Sequence, residues 1–185
     1  MSDFGFTHQY AAMKTSTKHP FDPSVLAGHG LFAGLSEEDL RVLPVLFRAE
    51  KYRSGERIIT EGEHGGCLYL IQSGEVDILK QVVSREGESR EKIATLRAGD
   101  TFGEMELIDG QPRSATVIAK GEVTVLVLDR LDIHKLDPHD SRIYATLLLN
   151  LSIELSRRLR AMDQQLAVSL FSIRQQSRYR LFPKD

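Results

Sequence analysis

Six short β-rich runs, each stopped by a glycine or a polar turn, fill residues 48–130, and this punctuation limits the stretch to an antiparallel β architecture. Ile58–Thr60 stops before Gly62, Cys67–Ile71 before Gly74, and Val76–Leu79 follows directly. Ile93–Leu96 ends ahead of Gly99, Ala115–Ile118 ahead of Gly121, and Val123–Leu128 closes the series. Turns spaced roughly 8–16 residues apart between runs of this kind predict a β-barrel or jelly roll. Ser84–Glu91, wholly polar apart from its glycine, is expected to be a solvated hairpin tip.

Helical signals flank the β region. Ser36 with Asp39 three residues on forms a capping-box pattern, and Leu35 with Leu40 a hydrophobic staple. Leu40, Leu43, Leu46 and Phe47 then predict a short amphipathic helix, with Pro44 near its end. After Asp129 the period changes again. Asp137, Pro138, Asp140 and Ser141 are start signals, and apolar residues recur at Tyr144, Leu148, Leu151, Leu155, Leu159, Met162, Leu166 and Ile173. A helix of some 30 residues would be roughly 45 Å long. It would overhang so small a domain, and a second copy of the same helix is its expected cover. The fold class is therefore mainly β with flanking helices, a β-roll followed by a long C-terminal dimerisation helix. The expected boundaries are a flexible arm over 1–24, an N-terminal helix and β-roll over 25–136, the long helix over 137–176 and a basic tail over 177–185.

Composition narrows the function. The formal charge is −2, which gives no general case for nucleic-acid binding. The distribution is uneven, however, with eight basic and three acidic side chains after residue 140, so an anionic partner is expected there if anywhere. Cys67 is the sole cysteine and the six histidines show no ligand spacing, which disfavours disulfide, zinc and iron–sulfur chemistry. No signal peptide and no run of about 20 apolar residues is present, so a cytoplasmic protein without a membrane span is expected. No catalytic arrangement is found either. A β-roll enzyme of the cupin type needs clustered metal ligands, which the isolated His64 does not provide.

Residues 102–117, FGEMELIDGQPRSATV, break the strand pattern. Gly103 permits close backbone approach, Glu104–Ile108 favours one helical turn, and Gly110 with Pro112 ends it. The first turn of a helix offers unpaired N–H groups to an anion, and Arg113, just before the next strand, adds a fork suited to phosphate. Glu104 beside an anion makes sense as an acceptor of ribose hydroxyls. Taken singly, Arg113 reads equally as a surface ion-pair partner and Glu104 as a helix-terminal charge; the combination favours an anion site.

This segment resembles the phosphate-binding cassette of cyclic-nucleotide-binding domains: F-G-E, a hydrophobic, a small residue and Leu, then a loop and P-R-(A/S/T)-A. The resemblance extends over residues 30–165, with Gly62, Gly74 and Gly99 at the family's turns, and is greatest to bacterial domains of the catabolite-activator type. It implies that Glu104 accepts the ribose 2′-OH, Arg113 pairs with the phosphate, Ser114 donates to it, and the backbone around Gly103, Met105, Glu106 and Ala115 completes the cradle. It further implies that Arg158, on the long helix, pairs with Glu104, that Met162 and Asp163 meet the base, and that Ile71 and Leu96 wall it. Cyclic AMP is the first-choice ligand, with cyclic GMP next because Asp163 can accept from guanine.

Two departures bear on this. Glu106 stands where the family has a small residue, and a carboxylate near a phosphate costs affinity, which solvent exposure of the side chain would soften. Met162 and Asp163 replace hydroxyl residues. The family's DNA-reading winged helix is not expected, since only about 20 residues follow Gln165. The reading is a regulatory sensor, not an enzyme and without cofactor, that signals to a separate effector protein by repacking of the long helix. The alternatives are an interaction or scaffold module whose cassette Glu106 has disabled, or a site for another nucleotide such as a cyclic dinucleotide.

Overall fold

In the computed structural model, residues 24–85, 87–133 and 141–181 are described. Most of the expected arm, the Asp137–Pro138 hinge and residues 182–185 lie outside them. The first elements are α1 (Ser24–Ala27), a 3-10 turn (Gly30–Phe32), α2 (Glu37–Val42) and a second 3-10 turn (Leu43–Leu46). The Ser36 hydroxyl accepts from the Asp39 amide, and Asp39 accepts in turn from the Ser36 amide, which is the capping box its spacing predicts. The expected helix is shorter than anticipated. Pro44, with no N–H to give, opens the tighter turn, and Phe47 starts a strand instead.

The β-roll is two four-stranded antiparallel sheets. One has the order β1 (Phe47–Tyr52), β8 (Val123–Asp129), β3 (Cys67–Ser73), β6 (Thr101–Phe102). The other runs β2 (Arg57–Ile59), β7 (Thr116–Ala119), β4 (Glu75–Ser84), β5 (Gly87–Arg97). The near-continuous apolar runs of β3 and β8 follow from burial on both faces. Tyr69, Ile71, Val125 and Val127 fill the space between the sheets, while Leu68, Leu70, Leu126 and Leu128 pack outward against the helices. Two strands escaped sequence reading: β1, whose side chains are mostly polar and exposed, and the two-residue β6. The expected solvated hairpin tip at Ser84–Glu91 is present, its described residues exposed, but the turn itself is short. Pairing continues to Ser84 opposite Gly87, and Glu88–Glu91 are strand residues facing Val83–Lys80. Because both strands are solvated there, no alternation marks them.

After the short helices α3 (Glu104–Asp109) and α4 (Arg130–Ile133) comes α5, Ser141–Leu181, 41 residues long and reaching past the expected end at 176. Its roll-facing stripe is Ile143, Leu147 and Leu151; Leu151 belongs to the expected stripe, whereas Ile143 and Leu147 stand one residue before the expected Tyr144 and Leu148. Arg142 meets Asp39 at 2.5 Å, and the Asn150 amide donates to the Leu31 and Ala33 carbonyls, fastening the helix to the N-terminal elements. Beyond this, Leu159, Met162, Leu166 and Ile173 are each close to 60% exposed.

Candidate functional site

The site is built around α3, a single helical turn bracketed by two glycines in left-handed conformation, Gly103 (φ 80°) and Gly110 (φ 68°). Gly103 is required twice over. Its φ suits glycine, and a Cβ there would lie 2.6 Å from Arg113 Nη1 and 2.8 Å from the Cys67 carbonyl. The Arg113 guanidinium fills that space. Its Nη1 donates to the Cys67 carbonyl at 2.9 Å and the Gly103 carbonyl at 2.7 Å, and it lies 5.8 Å above the Tyr69 ring, itself stacked on Phe102. The backbone is pinned as well: the Arg113 amide donates to the Glu63 carbonyl and its carbonyl accepts from the Gly62 amide. Arg113 is 6% exposed, a cation held from several sides.

Glu104 and Glu106 leave opposite sides of the turn. Glu104 is 4% exposed. Its Oε1 meets Arg158 Nη1 at 3.1 Å, so α5 and the cassette are joined at this point. Its Oε2 is buried and has no hydrogen-bond partner. Burial pushes the Glu104 carboxyl above the usual range, with Arg158 pulling the other way. Arg158 also donates to the Thr101 carbonyl at 2.5 Å and pairs with Glu154, and Glu154 accepts from the Thr101 hydroxyl. Thr101 and Glu154 are polar members of the site that the sequence did not single out, since neither falls inside the cassette motif.

Solvent does not screen Glu106. Its side chain is 5% exposed because it turns toward the β2–β3 loop rather than outward. There it accepts from the Gly65 amide at 2.9 and 3.1 Å and lies 2.9 Å from Arg113 Nε and 3.2 Å from His64 Nδ1. Burial alone would raise its pKa, but the Gly65 and Gly66 amides, Arg113 and His64 together hold it below the usual carboxylate range. Gly65 went unnoticed in the sequence, yet a Cβ there would sit 2.8 Å from Arg113 Nη2.

The remaining predicted residues are spread more widely. Ser114 is exposed, its hydroxyl 3.4 Å from Met105 Sδ and its carbonyl accepting from Lys80 Nζ at 2.6 Å. Met105 is exposed and Ala115 half-buried at the same rim. Met162 and Asp163 lie about one turn beyond Arg158 on α5, both exposed. Ile71 is sealed between the sheets and Leu96 lies at the edge of that core, so Ile71 presents no surface to a base in this conformation. Among the described residues no group of three His, Cys, Asp or Glu side chains is placed to hold a metal. None of the described helices is long and apolar enough to cross a membrane.

A β-roll that carries a one-turn helix against a buried arginine, with a long helix latched across it, is the architecture of a regulatory ligand-binding domain. Residues 49–137 match the model of the cyclic nucleotide-binding domain, and this stretch is a domain of that family. It is 33% identical over 146 residues to the cyclic AMP receptor protein of Thermus thermophilus, covering 79% of this chain and 64% of that one. It is 35% identical over 106 residues to the cAMP-dependent protein kinase regulatory subunit of Yarrowia lipolytica, covering 57% of this chain and 26% of the other. The chain thus spans a quarter to two thirds of the length of these curated relatives. Among solved structures it is similar to a cyclic nucleotide-binding domain from Methylobacillus flagellatus (TM-score 0.70, 29% identity, 79% of this chain and 80% of that one).

Proposed function

We propose that this protein is a cyclic-nucleotide sensor, with cAMP as its preferred ligand, that acts on a separate effector protein through movement of α5. The observation that carries the reading is the buried, unpartnered Oε2 of Glu104. A buried acceptor without a donor costs about 1–3 kcal/mol, and a ribose 2′-hydroxyl would supply the donor. Arg113 and the first-turn amides of α3 would take the phosphate, with Ser114 donating from the rim. Arg158 supports a coupling role, because the residue that holds Glu104 belongs to the helix that must move. Binding would shift the balance between two α5 positions by no more than the difference in affinity. The relatives' names, a cyclic AMP receptor protein and a cAMP-dependent kinase regulatory subunit, support cAMP. The exposed apolar residues of α5 support a homodimer packed along that half of the helix.

The test is thermal melting with millimolar cAMP, then cGMP, against an Arg113→Ala control. Ligand at about 100 times its Kd adds about 2.7 kcal/mol, roughly 5–10 °C for a chain of this size. A rise with cAMP that exceeds the cGMP rise and disappears in Arg113→Ala is expected. No rise with either nucleotide would favour the second reading, an interaction module with a disabled cassette, for which the Arg113–Glu106 pair is the supporting observation.

A further inference from the structure

We infer that Glu106 is a resident anion on Arg113, which a ligand phosphate must displace, so that this one side chain sets the affinity of the site for cyclic nucleotides. The inference rests on the sensor reading above and adds a specificity determinant to it.

A guanidinium grips phosphate best with two parallel N–H groups from one edge. Both hydrogens of Arg113 Nη1 are directed at main-chain carbonyls, those of Cys67 and Gly103. The edge left for a fork is Nε with Nη2, and the Glu106 carboxylate is on it, 2.9 Å from Nε. The same carboxylate takes the Gly65 amide with both oxygens. An incoming phosphate therefore finds its cation already neutralised, or shares one buried fork with a second negative charge. At low dielectric that repulsion is severe. His64, two-thirds exposed and 3.2 Å from Glu106 Oε1, marks the side on which the carboxylate leaves toward water. Neutralisation by protonation does not relieve the competition near neutral pH, because the surrounding donors keep Glu106 ionised.

A different role fits the same contacts: Glu106 holds Arg113 in place for the phosphate, and its loss would weaken binding. The two predict opposite signs. Calorimetric titration of cAMP into the natural chain, Glu106→Gln and Glu106→Ala, with adenosine as the ligand that lacks a phosphate, separates them. Glu106→Gln keeps the side chain's size and an acceptor for Gly65, and melting curves report whether each variant is folded. We expect cAMP to bind at least tenfold more tightly to both variants, with adenosine binding no better to them than to the natural chain. A second readout is the Gly65 amide resonance in the natural chain, which should shift strongly on cAMP addition as its acceptor leaves.

Unchanged or weaker cAMP binding in the variants, with cAMP binding intact in the natural chain, overturns the inference and leaves the sensor reading standing. Equal gains for cAMP and adenosine overturn it as well. Binding by the variants alone upholds the inference and defeats the sensor reading for the natural chain. If no form binds, both fall.

Discussion

The helix side and the loop side of the cassette begin two residues apart and end in contrasting electrostatic situations. Glu104 faces α5, with one arginine and an oxygen that has no donor. Glu106 faces the β2–β3 loop, where amides, an arginine and a histidine ring surround it. Their exposure is the same to within a per cent, yet the first carboxyl is pushed up and the second held down. For Glu104 burial outweighs its single arginine, and for Glu106 the surrounding donors outweigh burial. One side of the turn leaves an acceptor unpaired, and the other is satisfied by its neighbours.

The largest test of this contrast is Arg113→Ala. It leaves the buried Glu106 charge without its cation and should cost about 3–5 kcal/mol in denaturant unfolding, part of which returns in the Arg113→Ala, Glu106→Ala double variant. A loss below 1 kcal/mol would mean that the loop side is not a closed pair. Next is Glu104→Gln. On the helix side the expected loss is in ligand affinity, at least tenfold for cAMP by calorimetry, with stability changed by less than about 1 kcal/mol, because the group removed is one whose acceptor is unsatisfied.

Acid titration of stability gives a smaller effect, and its sign differs between the two sides. The Glu106 carboxyl is held below its ordinary 4.5, so its contribution is full above about that pH and is lost as pH falls through the folded value. Glu106→Gln should flatten the acid limb of the stability curve. The Glu104 carboxyl is raised, so its charged form weighs against the fold as pH rises through the folded value, and Glu104→Gln should remove that penalty near neutrality. Matching slopes in the two variants would erase the distinction. The smallest effect belongs to Arg158→Lys. The pair with Glu104 is partly open to solvent on the arginine's side, and less than about 1 kcal/mol of stability is expected to go. Backbone amide exchange in α5 should nonetheless quicken, which distinguishes a latch from an ornament.

The β-roll was legible because glycines and β-rich runs alternate in register with the turns, and the cassette because its motif is compact. What the sequence hid has consistent physical causes. Strand β1 and the tip of the β4–β5 hairpin carry mostly polar side chains on surfaces that water reaches, so no apolar alternation marks them. The stripe of α5 was read one residue late at its start, at Tyr144 and Leu148 though not at Leu151, because apolar residues run on both the roll-facing and the open face of that helix. Whether solvent reaches Glu106 was not legible, because spacing along one helical turn gives a side chain's direction only loosely. Its burial depends on Gly65, some 40 residues earlier, whose missing Cβ makes room for the Arg113 guanidinium. No local reading of residues 102–117 contains that fact.

The length of α5 has a mechanical consequence. Arg158, the last residue of the helix fastened to the cassette, is followed by a helical segment that ends at Leu181, about 35 Å further on at 1.5 Å per residue. A tilt of about 10° at the latch becomes a displacement of about 6 Å at the tip. A rearrangement at Glu104 that tilted α5 would in this way be magnified, beyond the exposed apolar residues up to Ile173, into a movement of side-chain dimensions.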